Sequence, residues 1–586
     1  MAFYRPWMMA LAVPVVACLP VSDFLIAQLN HVGLYALVCM GLVLLTGVGG
    51  LTSFGQAAFV GIGAYSSAWL TLNLGLSPWL SLWVGLALTA LCATVVGFIT
   101  LRMSGHYLPL ATIAWGLALY YLMGNLEALG KYDGLIGIQS LSLFGLDIGQ
   151  GRLFFVLCWS LVGAGLYALT NLLDSRPGRA MRALKNGSQM AEAMGINTFR
   201  YKVSIFLIAA LFASVSGWLL AHFQRTVNPS AFGLKMGIEY LFMTVIGGVG
   251  HIWGALVGAG LVKFLDDWLQ TALPAWLGTS GSYEVIVFGI ILVLVLKYLP
   301  NGLWSLVVLR FAPQPKPLAH ADAARLPPRP VANTDRPVLE VVNIRKQFGG
   351  LTAVNDIGFE IAKGEIVGLI GPNGAGKSTT FNLITGVLGK TSGSVHFTGQ
   401  DVTRLPSRDI SRLGMARTFQ HVKMIADMTV LENVALGAHA RGKKGIVSAM
   451  LRMNQDEEQS LMKEAQIQLE RVGLGPHMHE MAGSLAMGPQ RLMEIARALC
   501  TDPALLLLDE PAAGLRHQEK QSLAQVLRQL RSQGMSILLV EHDMDLVMDV
   551  CDQLVVMEFG TLLTRGTPAQ VQANPAVRAA YLGTEH

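Results

Sequence analysis

Glu365-Ile366-Val367-Gly368-Leu369-Ile370-Gly371-Pro372-Asn373-Gly374-Ala375-Gly376-Lys377-Ser378-Thr379 reads as a buried strand, a glycine-rich loop and the opening of a helix. The glycines let successive backbone N–H groups turn inward around phosphate oxygens, and the helix aims its positive dipole end at the same point. Lys377 is placed to reach the β- and γ-phosphates of a nucleotide, and the Ser378 hydroxyl to coordinate magnesium. An ordinary glycine-rich turn explains neither the Lys-Ser pair nor the strand before it.

Two later strands extend the pattern. Ala504 to Leu508 is an apolar run ending in Asp509-Glu510, and Ser536 to Val540 ends in Glu541-His542-Asp543. A carboxylate at a strand tip beside a phosphate loop belongs on the magnesium shell, which assigns Asp509, and the next carboxylate, Glu510, can polarise an attacking water. His542 stands where a side chain senses the γ-phosphate. From Val338 onward, short β-branched runs alternate with amphipathic helices, an α/β pattern.

The part before Arg310 has a different texture. The 586 residues are 52% hydrophobic and only 14% charged, and the charges crowd into the C-terminal part. Apolar runs of bilayer length recur near 7–27, 32–52, 54–74, 79–101, 108–124, 153–173, 203–223, 237–262 (interrupted) and 284–308, so eight to ten spans are expected. No cleavable leader is evident, and Trp7 to Ile26 reads as a first membrane helix. Ser53, Ala57 and Gly61, and again Gly250, Gly254 and Gly258, form small-residue stripes that let helices approach closely. Arg176, Arg179, Arg182, Lys185, Arg200 and Lys202 cluster in one loop, placed in the cytoplasm by the positive-inside rule. Glu239, Asp266, Asp267 and Glu284 lie close to spans, where acids face a cavity or a partner as readily as helix-end solvent, so none is assigned to a solute. The six cysteines lack metal spacing and read as unpaired thiols. The net charge of +5 is modest and does not point to nucleic acid.

Proline-rich residues 312–336 cannot hold a helix and read as an extended linker, able to span roughly 75 Å at about 3.1 Å per residue. The expected organisation is a polytopic α-helical membrane domain over 1–311, this linker, and an α/β P-loop ATPase domain over 337–586.

The motifs of the second half, in this order, resemble the ABC transporter ATPases. The resemblance implies ATP and Mg2+ as cofactors, with an ATP site formed by Phe348 as the adenine-stacking aromatic, Gly371 to Thr379 and Gln420. It implies Ser378, Gln420 and Asp509 around the metal, Glu510 as catalytic glutamate and His542 as switch histidine, with Lys377 on the phosphates. The family signature, Leu-Ser-Gly-Gly-Gln or close to it, acts on the opposite subunit's nucleotide. Here the stretch reads Leu485-Ala486-Met487-Gly488-Pro489-Gln490. Proline suits a first helical turn, but Ala486 lacks the hydroxyl expected to bond the γ-phosphate, a contact worth about 1.5–3 kcal/mol. The segment Pro511 to Arg516 also departs from the usual acidic ending. An asymmetric pair of ATPase domains is therefore expected, which favours a different partner ATPase.

Within that family, Gly350-Leu-Thr-Ala-Val-Asn-Asp356 and the ending Gly566 to Pro575 through Ala580-Tyr-Leu-Gly583 look like branched-chain amino acid importer ATPases. In the membrane half, Leu51 to Tyr65, Met243 to Gly250 with Trp253, Gly254 and Ala255, and Leu299-Pro-Asn-Gly302 resemble the matching permeases. Glu192, Ala193, Met194 and Gly195, running on to Asn197, resemble their ATPase-docking segment, expected to seat in a groove near Gln420. The resemblance implies a permease–ATPase fusion subunit of an importer in the cytoplasmic membrane, with its ATPase domain and linker inside. It also implies a second permease subunit, a second ATPase, an extracytoplasmic solute-binding protein and a small-molecule cargo, branched-chain amino acids first. Urea, short amides or aromatic carboxylates are the alternative cargoes. A half-exporter and a membrane-anchored regulatory ATPase are the readings of a different class.

Overall fold

The computed structural model describes residues 13–103, 107–277, 284–299, 301–311, 323–329 and 336–582. The start of the first expected span, Pro300, Gly583 and most of the expected linker lie outside the described residues. The chain divides into two compact units, one of residues 1–174, 199–316 and 449–451, the other of residues 175–198, 317–448 and 452–586.

The first unit is helical: α1 (Asp23–Leu42, continuing as a π-helix through Val48), α2 (Gln56–Asn73), α3 (Pro78–Thr100), α4 (Tyr107–Asn125) and α5 (Gly151–Leu173) precede α8 (Thr198–Gln224), α9 (Leu234–Gly247), α10 (Ile252–Leu277), α11 (Glu284–Tyr298) and α12 (Leu303–Phe311). Five helices among the described residues are long and apolar enough to cross a membrane, or six if the bent pair α9 and α10 is one span. Among the described residues this is fewer than the eight to ten spans read from apolar runs, the first of which begins outside them. Helix α2 carries Gln56, Ser66, Ser67 and Asn73 and falls outside that group, and the run at 284–308 is broken into α11 and α12. The interruption expected within 237–262 is present, as a 117° bend after Gly247.

Small residues set how closely these helices pack. A Cβ on Gly217 of α8 would run into the Val60 carbonyl of α2, and one on Gly258 of α10 into the Met243 carbonyl of α9. Gly254 sits similarly against Gly247 and Gly248, whereas Gly250 faces open space. Buried hydroxyls add polar contacts between the helices: Ser67 Oγ lies 2.5 Å from Ser81 Oγ and 2.8 Å from His222 Nε2, and Thr89 donates to Ser214 Oγ at 2.9 Å. Asp267 pairs with Lys263 one turn away at 2.6 Å, and Glu239 with Lys235 at 3.8 Å.

The second unit is built on two sheets. A six-stranded sheet runs β5 (Met415–Arg417), β6 (Leu505–Asp509), β7 (Ser536–Val540), β3 (Ile366–Ile370), β8 (Gln553–Glu558) and β9 (Thr561–Gly566), parallel except for the β8–β9 hairpin. An antiparallel sheet pairs β1 (Leu339–Phe348) with β2 (Leu351–Ile361) on one side and β4 (Ser392–Phe397) on the other. Strands β3, β6 and β7 are buried at every residue, because both faces are covered. Alternate residues feed two cores: Val367, Leu369, Leu505 and Leu507 one, and Ile366, Ile370, Leu506 and Leu508 the other. The helices of this unit include α13 (Lys377–Ile384), α14 (Ser407–Leu413), α15 (Val430–Ala435), α16 (Gln455–Arg471), α17 (Met487–Leu499), α18 (His517–Ser532) and α19 (Met544–Val550).

The segment between α5 and α8 also belongs to this second unit, as α6 (Arg176–Ala183) and α7 (Ser188–Ala193). Two of its basic residues are buried rather than solvated, while Lys185 is exposed. Arg179 is 2% exposed and ion-paired with Glu458, and Arg176 Nε lies 3.5 Å from a Glu457 carboxylate oxygen. Both acids stand in the first turn of α16, where the helix dipole also favours negative charge.

Gly217→Ala should lower stability by about 1–3 kcal/mol, because the new methyl meets backbone that cannot yield. Gly289→Ala, in open space, should cost far less. Thermal unfolding in detergent checks the pair; equal losses would contradict the packing argument.

Candidate functional site

Register brings the tips of three strands together. Asp509 pairs across β6–β7 with Val540, and Val540 across β7–β3 with Leu369, so Asp509-Glu510, Glu541-His542 and Gly371 emerge side by side. From Gly371 the loop Pro372, Asn373, Gly374, Ala375 and Gly376 curls into α13. Gly376 caps that helix at φ +95°, and a Cβ there would lie 2.6 Å from the Ala353 carbonyl, so only glycine fits. Lys377 Nζ donates to the carbonyls of Gly371 (2.7 Å) and Pro372 (3.0 Å), with Ser378 exposed and Thr379 half-buried beside it. Burial lowers the Lys377 ammonium pKa, against the opposing charges of Glu510 and Asp509.

Asp509 is 6% exposed, and its Oδ1 has no hydrogen-bond partner. Burial pushes its carboxyl up to about 6, with Arg417 opposing the shift and Glu510 and Glu541 adding to it. Glu510 adopts φ +48°, a conformation that costs of order 1–3 kcal/mol for a non-glycine residue and clusters at functional sites. Its carboxylate accepts from Gln420 Nε2 at 3.0 Å and lies 3.9 Å from His542 Nδ1.

Three residues without an assignment from sequence organise this cluster. Glu541, fully buried, accepts from the Ala512 N–H at 2.6 Å and the His542 N–H at 3.0 Å, tying the loop after Glu510 to the loop carrying His542. Arg491 of α17 donates to the Phe419 and Gln420 carbonyls at 3.0 and 2.6 Å. Arg497, one face further along, donates to the Lys423 carbonyl at 2.5 Å. The i, i+3, i+6 spacing of Arg491, Glu494 and Arg497 is the signal that marks this charged face, since an otherwise apolar helix buries all three.

The other expected residues stand apart from the cluster. Phe348 ends β1, 47% exposed, with Lys346 Nζ 5.0 Å from its ring centroid. Ala486 is the N-cap of α17 and has no side-chain acceptor for it. Met487 is exposed, Gly488 is buried, and Pro489 is the third helical residue, where a missing N–H breaks no helical bond. In the 175–198 segment, Ala193 and Met194 are buried, Glu192 accepts from Thr198 Oγ1 at 2.8 Å, and the Gly195 carbonyl accepts from Arg412 Nε at 3.1 Å. A Cβ on Gly195 would lie 3.0 Å from Ala440, so this segment seats on α14 and the 3-10 turn Leu436–Arg441, while Gln420 itself bonds Glu510.

Residues 24–296 match the family described as branched-chain amino acid transport system / permease component, residues 354–513 the ABC transporter family, and residues 561–586 the branched-chain amino acid ATP-binding cassette transporter family. The high-affinity branched-chain amino acid transport ATP-binding protein LivG of Escherichia coli is 44% identical over 251 residues, 42% of this chain and 98% of that protein. The corresponding BraF of Pseudomonas aeruginosa is 41% identical over the same share of each chain. A nucleotide-free ATP-binding cassette from an ABC transporter aligns at 32% identity and TM-score 0.38, covering 42% of this chain and 100% of that one.

Replacing Asp509 by Asn tests the electrostatics of the cluster. A carboxyl whose folded pKa is raised from 3.8 to about 6 costs nothing well below pH 4. Its cost grows through pH 4–6 and is complete above that, at about 2–3 kcal/mol. Asp509→Asn should therefore stabilise the nucleotide-free protein at pH 7.5 and less so at pH 5. Urea unfolding with a chelator present reads this out; a gain independent of pH would contradict the assignment.

Proposed function

Because this chain belongs to the branched-chain amino acid ABC transporter family, with permease and ATP-binding domains in one polypeptide, we propose that it is the fusion subunit of an importer that uses ATP to move branched-chain amino acids across the cytoplasmic membrane. One observation carries the reading: Lys377, Asp509, Glu510, Gln420 and His542 converge at adjacent strand ends of a chain whose N-terminal part matches a permease. The LivG and BraF similarity supports branched-chain amino acids over urea, amides or aromatic carboxylates as cargo.

The backbone N–H groups from Gly371 to Ser378 and the Lys377 ammonium hold the triphosphate, and Phe348 stacks on the adenine. The unpartnered Asp509 oxygen, with the Ser378 hydroxyl and Gln420, forms a donor set that fits Mg2+. When bound, Mg2+ neutralises charge on the β- and γ-phosphate oxygens. Glu510 orients and polarises the attacking water, and His542, fixed through its N–H to Glu541, faces the γ-phosphate. Glu510 is held for this by Gln420, whose own backbone is gripped by Arg491.

A second ATPase completes the machine. Its signature faces this chain's nucleotide, while Ala486, Met487, Gly488 and Pro489 face the partner's and supply no hydroxyl to the γ-phosphate. The complex is heteromeric, with a second permease and an extracytoplasmic solute-binding protein delivering the cargo. The segment from Arg176 to Gly195 is the coupling element, moving with the ATPase and continuous in sequence with α5 and α8.

In proteoliposomes holding the whole complex and a leucine-loaded binding protein, Lys377→Ala should abolish ATP-dependent leucine uptake. Uptake that persists would overturn the reading, and uptake of urea or benzoate in place of leucine would reassign the cargo. Ala486→Ser should raise hydrolysis at the partner's site by about ten-fold or more, the worth of one charge-assisted hydrogen bond. Single-turnover assays check it, and an unchanged rate would contradict the asymmetric pair.

A further inference from the structure

The proline-rich stretch is not a plain tether along its whole length. Leu326 packs against the apolar core of the second unit. The Arg329 N–H donates to Asp502 Oδ2 at 2.5 Å, and its guanidinium donates to the Thr501 carbonyl at 3.0 Å and the Ser411 carbonyl at 3.5 Å. Arg441 donates to the Pro327 carbonyl at 3.1 Å and to the Cys500 carbonyl at 3.2 Å, and is itself paired with Glu464 at 3.3 Å. Gly414, at φ +113°, leaves the room in which the Arg329 guanidinium lies.

The elements gripped from this side are the ones that seat the coupling element. Helix α14 offers the Ser411 carbonyl to Arg329 and Arg412 to the Gly195 carbonyl. The 3-10 turn Leu436–Arg441 sends Arg441 to Pro327 and accepts Arg176 at the His439 carbonyl, 2.7 Å away. Both elements are short, seven and six residues, too short to hold their orientation without tertiary contacts. Arg329 and Arg441 supply such contacts on one side, and Arg176 and Gly195 meet the same elements.

We infer that Leu326–Arg329 is a docked strap whose grip on α14 and on the turn 436–441 positions the groove that receives residues 175–198. The linker of the fusion thereby takes part in transmission as well as in attachment. Arg329, Asp502 and Arg441 are positioning residues, remote from the nucleotide chemistry. Releasing the strap loosens the groove, so ATP is hydrolysed with less of it converted into movement of cargo. This rests on the coupling role given above to residues 175–198.

The test uses the full chain in its complex in lipid nanodiscs and proteoliposomes. It compares Arg329→Glu and the milder Asp502→Asn with the unaltered protein. Hydrogen exchange over 188–198 and 407–413 is read together with leucine taken up per ATP hydrolysed. The strap reading expects faster exchange in both segments and a coupling ratio reduced about five-fold or more, the range of an ordinary coupling energy, with ATP turnover within about two-fold. Asp502→Asn, which keeps the side chain's shape, should move both readouts in the same direction to a smaller extent. Faster exchange at 323–329 with 188–198 and the coupling ratio unchanged would overturn the strap and leave a simple tether. The exchange arm does not depend on the cargo: if the unaltered protein moves no leucine, the transport reading fails while exchange over 188–198 still decides the strap.

Discussion

Two arginines buried against two glutamates, Arg176 with Glu457 and Arg179 with Glu458, are the constraint on which the rest of the account depends. Taking four charges out of water is costly, and it is repaid only when each finds its partner. Removing one member leaves a lone charge behind, at about 3–5 kcal/mol. The segment carrying the arginines lies between two long apolar helices in the chain, yet it belongs to the unit that holds the nucleotide motifs. The Arg176 N–H also donates to Glu458 at 3.0 Å, and its guanidinium reaches the His439 and Lys444 carbonyls at 2.7 and 2.5 Å, so the grip is on backbone as well as on charge. Burial, with Arg176, Arg179 and Arg412 adding to it, holds the His439 imidazole neutral, so the groove does not acquire another positive charge.

The nucleotide cluster of the same unit is tied together in its own right. Gln420 bonds Glu510 at one end, and its carbonyl is held at the other by Arg491 from the helix that begins at Ala486. Arg491 thus ties the helix that follows Ala486 to the segment carrying Phe419 and Gln420. Glu541 does the same between the loops of Ala512 and His542.

The local parts of this design were legible in the sequence. The strand Ile366–Ile370, the loop to Lys377 and the two acid-tipped strands are contiguous stretches whose pattern states both conformation and chemistry. What stayed hidden depends on partners distant in the chain. Arg176 and Glu458 are 282 residues apart, and from sequence alone the basic cluster says cytoplasm and nothing about burial. Glu541 reads as one of the two acids in Glu541-His542-Asp543 until its backbone partners are seen. Among the described residues fewer helices pass as spans than the apolar runs suggested, because α2 carries Gln56, Ser66, Ser67 and Asn73 and the run at 284–308 is broken into two helices.

Charge reversal across the buried pair tests the central claim most directly. Arg179→Glu and Glu458→Arg, singly and together, are compared for leucine uptake per ATP hydrolysed in proteoliposomes carrying the whole complex. Each single reversal is expected to collapse the ratio while hydrolysis continues, and the double reversal to regain a substantial part of it. A double variant no better than either single one would contradict the claim that this ion pair carries the coupling.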